Sequence, residues 1–154
     1  KGITELRSRS SGGKIILEAR LLVDSYISVS EGHQLGELAN KSLISQFGDV
    51  SEVLIHIDPV QHDITEDEFH LPERMQVIET LKTRWKNLID EQSIASIDLH
   101  YLGGDIEVDL VLDVGELSQA TARKLESAIE SEPHIAKLRV FNKLYESKHG
   151  RTSS

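Results

Sequence analysis

A degenerate internal repeat constrains this chain more than any other feature. The stretch "SGGKIILEARLLV" at 11–23 lies over "LGGDIEVDLVLDV" at 102–114, matching Gly12-Gly13 with Gly103-Gly104, Ile15 with Ile106, Leu17 with Val108 and Leu21 with Leu112. Further along, "VSEVLIH" at 50–56 lies over "IAKLRVF" at 135–141. One supersecondary unit used twice is the simplest architecture for such a pattern. The paired glycines mark hairpin turns, because glycine takes positive φ without steric cost.

Each copy reads strand–strand–helix–strand. In the first, strands are predicted over 3–9 and 14–24. A helix then follows, capped by Ser28 or Ser30 with Glu31 in its first turn. Leu35, Leu38, Ala39, Leu43 and Phe47 fall at helical spacing, and Gly48 is the expected stop. "SEVLIHID" is the third strand. In the second copy "IASIDLHY", "IEVDLVLDV" and "HIAKLRVFN" are strands, and "SQATARKLESAIES" is a helix. A further helix is predicted from Pro72, with Met75, Ile78, Leu81, Trp85, Leu88 and Ile89 on one face. The first copy is expected to have its own leading helix before residue 1. A hairpin followed by a crossover helix gives a small sheet with helices on one face. The fold class is therefore α+β, as tandem ferredoxin-like (αββαβ) sandwiches. The boundaries read as a first domain at 1–60, an acidic linker at 61–71, a second repeat at 72–145 and a disordered tail at 146–154.

Composition narrows the chemistry. The net charge of -9 over 154 residues argues against a broad nucleic-acid surface, which needs clustered Lys and Arg. The chain has no cysteine, so any metal site must use His, Asp, Glu or water. No run approaches the roughly 20 apolar residues of a membrane span. The chain opens at "KGITELRSR" without Met, directly in strand-like sequence, and reads as a piece of a longer or processed protein. No P-loop, dinucleotide fingerprint or nucleophile elbow is present, so an enzyme is not expected.

The chemistry-bearing stretch is "VLIHIDP" at 53–59. His56 and Asp58 alternate onto the same side of a strand. Imidazole with carboxylate suits zinc, or manganese and iron where more oxygen donors join. The plain structural alternative is a strand-end histidine bond and an aspartate capping the turn at Pro59. His62, Asp63, Glu66, Asp67, Glu68 and His70 form a second, weaker constellation, which reads more simply as a solvated acidic linker. His100 and His134 do not reproduce the spacing and read as ordinary, and Trp85 reads as helix core.

The first 60 residues resemble the C-terminal cytoplasmic domain of cation diffusion facilitator (cation efflux) transporters. The resemblance rests on Leu6, Arg7, Arg9 and Gly12 in the hairpin, His33 at the start of a helix, and Val53, Ile55, His56, Asp58 and Pro59 in the last strand. It implies a metallochaperone-like domain that forms a V-shaped homodimer on the cytoplasmic side of the cell (inner) membrane. The membrane domain of the parent transporter would exchange protons for divalent cations. It also implies regulatory metal binding through His33, His56 and Asp58; His62, Asp63 and His70 of the linker are weaker candidates read from composition alone. Zinc is expected ahead of iron, manganese or cobalt. Metal binding only the closed dimer would favour it by its differential affinity.

Two departures open an alternative. Arg20 stands where some family members place another histidine, and it could pair with Asp58 and hold a metal-free dimer. In the second copy Phe141 replaces His56 and "SQAT" replaces the His33 region, so that copy has lost the site. The alternative is a metal-independent dimerisation or partner-binding module of the same fold.

Overall fold

The structure is a computed structural model that describes residues 2–60 and 70–144. The chain divides into two compact units, Lys1–Asp63 and Ile64–Ser154. The linker stretch 61–69, with His62, Asp63, Glu66, Asp67 and Glu68, and the tail from 145 lie outside the described residues. The architecture is α+β, with two three-stranded sheets, as the tandem ferredoxin-like expectation requires.

In the first unit, β1 (Gly2–Ser11) and β2 (Lys14–Val23) form an antiparallel hairpin, and α1 (Val29–Gln46) leads to β3 (Val50–Pro59) parallel to β2. The second unit adds α2 (Arg74–Trp85) in front of β4 (Ile94–Leu102), β5 (Asp105–Leu112), α3 (Gln119–Ile129) and β6 (Ile135–Asn142). Its sheet has the same plan, with β5 central, β4 antiparallel to it and β6 parallel. The repeat extends to fine detail. Both hairpin turns hold two positive-φ glycines, Gly12 and Gly13 at 59° and 78°, Gly103 and Gly104 at 60° and 86°. Both parallel pairs carry a register shift one residue into the central strand, at Ile15/Ile16 and Ile106/Glu107. Both crossover helices are capped by serine: Ser28 Oγ accepts from the Glu31 N–H and Ser118 Oγ from the Thr121 N–H, each at 3.1 Å. Each cap contributes about 1 kcal/mol.

The core of the second unit lies between its helices and its sheet. Val77, Leu81 and Trp85 of α2 and Leu125 and Ile129 of α3 pack with Ile97, Ile106, Val108, Leu110 and Leu112. The Trp85 indole N–H donates to the Leu125 carbonyl at 3.1 Å, tying α2 to α3. Among the described residues, the first unit has one helix against its sheet. There α1 approaches β3 through Gly32 and Gly36, which face Ile55 and Ile57.

The structure corrects three details of the sequence analysis. Helix α2 buries the row Val77, Leu81 and Trp85, whereas Met75 and Leu88 are exposed. Residues four apart share a helix face, and Met75 is off that row. Leu38 and Phe47 are also exposed, and the packed side of α1 is glycine-rich instead. The helix ends at Gln46 with Phe47 extended behind it, and Gly48 does not take positive φ.

Candidate functional site

Strand alternation divides the first sheet into two faces. Leu17, Ala19, Val23 and Val53 are buried on the α1 side. Cross-strand partners share a face, so the opposite side carries Glu5, Arg7 and Arg9 of β1, Glu18 and Arg20 of β2, and His56 and Asp58 of β3. The register places Arg20 directly between Glu5 and His56, two residues from the Leu22–Asp58 pair on the same face.

A charge network results. Arg20 Nε lies 3.3 Å from Asp58 Oδ2 and 3.7 Å from Glu5 Oε2. The angle of the first and the length of the second make these ion pairs rather than hydrogen bonds. The Asp58 carboxylate is 17% exposed and the Arg20 side chain 43%, so the contact is partly shielded from water. Arg7 pairs with Glu5. His56 Nε2 lies 3.1 Å from Glu18 Oε1.

His33 sits elsewhere. It is exposed on the first turns of α1 and lines a cleft of about 420 Å³ with Val23, Asp24, Ile57 and Pro59. That is the helix side of the sheet, so within one protomer the strands separate His33 from His56 and Asp58. Of the weaker candidates, His70 is exposed, and His62 and Asp63 fall outside the described residues. Among the described residues, no three His, Asp or Glu side chains are grouped to hold a metal ion.

The second sheet rebuilds the network with other residues. Asp109 occupies the place of Glu18 and meets His100 Nε2 at 3.2 Å, so here the histidine comes from the first strand of the repeat and not the last. Arg139 reaches both Asp109 and Glu107, the latter at 2.9 Å, and Lys137 lies 3.7 Å from Glu107. The Arg20–His56 pair is replaced by Val111 opposite Phe141. His100 does not stand out in the sequence, because spacing along one strand does not reveal a partner on the next. At the edge of this unit, the Tyr101 hydroxyl donates to the Pro72 carbonyl at 3.2 Å. Burial pushes its pKa above the ordinary 10.0, with nearby Arg74 opposing and Glu73 reinforcing the shift.

Residues 1–60 match the family described as "Cation efflux protein, cytoplasmic domain". Metal tolerance protein C1 of Arabidopsis thaliana is 25% identical over 157 residues, covering 91% of this chain and 33% of its own length. The alignment with it therefore includes most of the second unit. Manganese efflux system protein MneP of Bacillus subtilis is 36% identical over 59 residues, 38% of this chain and 20% of its own. Cation-efflux pump FieF of Shewanella oneidensis is 33% identical over 64 residues, 42% of this chain and 21% of its own. Over residues 1–60 the chain is thus similar to the cytoplasmic domain of cation efflux proteins. The chain spans a third or less of the length of these relatives, and no helix among its described residues is long and apolar enough to cross a membrane.

Proposed function

We propose that the first unit is the regulatory and dimerisation domain of a proton-coupled divalent cation efflux transporter, and that an internal ion-pair network holds its sheet without a regulatory metal. The membrane domain of that transporter would be its partner, on the cytoplasmic side of the membrane, and a second copy of this chain would complete a homodimer. The observation that carries the metal-independent part is Arg20 beside Asp58 at 3.3 Å. A divalent cation at Asp58 would sit against a guanidinium that cannot be deprotonated in a protein. His56 is engaged by Glu18, and His33 lies across the sheet. Within one protomer the three residues do not offer a common site.

The test is calorimetric titration of the chain with zinc, then manganese and iron(II), beside the His56→Ala, Asp58→Ala variant and an Arg20→His variant. The expected result is no saturable binding to the native chain, and a dimer by sedimentation that persists in a chelator. Arg20→His removes the competing cation and adds a ligand, so it is expected to gain binding. Saturable binding to the native chain that is lost with His56 and Asp58 would instead establish the second reading, in which zinc at His33, His56 and Asp58 closes the dimer. That reading draws on His56 and Asp58 sharing one face.

A further inference from the structure

The two hairpins are built alike but oppositely charged. On the open face of the first sheet, near the turn, stand Arg7, Arg9 and Lys14, all exposed. The equivalent positions in the second sheet are Asp98, His100 and Asp105. Arg9 and Lys14 have no ion-pair partner among the described residues, and Arg7 is held only by Glu5 at the far side of the patch. The asymmetry is marked in the sequence as well. Residues 1–20 contain five Lys or Arg against two Glu, and the remaining residues contain 12 Lys or Arg against 24 Asp or Glu. The turn itself is Gly12-Gly13, which carries no side chain.

From this patch we infer that the β1–β2 hairpin is a docking surface for anionic phospholipid headgroups. The inference rests on the proposed place of the domain beside a membrane. The overall charge of -9 does not prevent it. At physiological ionic strength charges are screened over roughly 8 Å, so a flat anionic surface senses the hairpin that touches it more than the rest of the chain. Each Lys or Arg near such a surface strengthens binding about fivefold. The three cations therefore support weak, salt-sensitive docking that would orient the domain and could not anchor it alone.

The experiment is co-sedimentation of the full chain with phosphatidylcholine vesicles, with and without roughly a third phosphatidylserine. Binding is expected only to the anionic vesicles and should fall as salt is raised. The Arg9→Gln, Lys14→Gln variant should bind roughly 25-fold more weakly, while Asp98→Asn, Asp105→Asn on the other hairpin should leave binding undiminished. Circular dichroism confirms that each variant is folded. Binding equal on neutral vesicles, or unchanged in Arg9→Gln, Lys14→Gln, would overturn the inference. So would competition by inorganic phosphate at matched ionic strength, which would assign the patch to a soluble anion. Equal retention on polyglutamate would assign it to an acidic protein partner. Sedimentation velocity on the same samples separates the two proposals. A dimer that ignores anionic vesicles defeats only this inference, whereas loss of both the dimer and the vesicle binding defeats the underlying reading too.

Discussion

The Arg20–Asp58 contact makes a quantitative prediction. Two unit charges about 4 Å apart attract by roughly 4 kcal/mol at an effective dielectric of 20, an upper bound for a site near the surface. Arg20 keeps 43% of its side-chain exposure, and exposed pairs measured by mutation contribute only about 0.2–1 kcal/mol. Asp58 is 17% exposed, which moves the estimate to the top of that range, a coupling of about 1 kcal/mol. The assay is a double-mutant cycle of Arg20→Ala and Asp58→Ala in urea unfolding of the full chain. The single tryptophan, Trp85, reports the second unit, and backbone circular dichroism reports both. Each single variant is expected to lose about 1–2 kcal/mol in the dichroism signal. The double variant should lose about 1 kcal/mol less than their sum, with the Trp85 transition unmoved. Losses that add to within about 0.3 kcal/mol would show that the contact couples nothing, and the metal-independent reading would lose its main support.

Three further outcomes follow from paired positions and one titration. Ile97 and Leu6 are equivalent, but Ile97 is 6% exposed beneath α2 and Leu6 is 56% exposed. Ile97→Ala should therefore cost about 3 kcal/mol in Trp85-monitored unfolding, and Leu6→Ala well under about 1 kcal/mol by dichroism. Gly13→Ala and Gly104→Ala should each cost about 1–2 kcal/mol in thermal unfolding, because both glycines hold positive φ, and equal tolerance at either would contradict the turn geometry. The Tyr101 pKa is raised in the fold, so the stability it contributes is complete below pH 10.0 and declines as pH rises through the folded value. Tyr101→Phe should flatten that alkaline decline in pH-dependent denaturation, at the expense of about 1 kcal/mol for the bond to Pro72.

Much of the fold was legible in the sequence for physical reasons. Two adjacent glycines between apolar strands admit few structures other than a tight hairpin, and Ser28 is a cap because its hydroxyl can reach a free N–H three residues on. The packed side of α1 was legible only in part: Leu35, Ala39 and Leu43 are half-buried as expected, but Gly32 and Gly36 bury backbone and offer no apolar side chain to count. Met75 was miscounted for the opposite reason: it is apolar but lies off the row that Val77, Leu81 and Trp85 define. In the candidate site, the shared face of His56 and Asp58 followed from alternation, and pairing of Arg20 with Asp58 was one of two expectations. The partners Glu18 and Asp109 were missed. They lie on neighbouring strands, and only the register brings them to their histidines.

That register depends on one residue. β3 pairs Val50 with Ile15 and then Glu52 with Ile16, so Ser51 is passed over, its hydroxyl donating to the Ile15 carbonyl at 3.1 Å. Without the shift Arg20 would stand opposite Ile55 rather than His56, and every side chain of β3 would exchange faces. His56 and Asp58 would then turn toward α1, and Ile55 and Ile57 toward the charged face. The second unit passes over Ala136 in the same place, although neither the arginine nor the histidine survives there. The irregularity therefore does not depend on the ion pairs. A backbone feature common to both copies decides which side of the sheet the last strand presents, and the residues on that side have diverged within it. In the first unit they form an arginine-centred network, and in the second a network around Asp109 with an apolar pair beside it. The two units thus keep one strand register while presenting different surfaces, as expected if the fold is constrained by packing and each open face by what it meets.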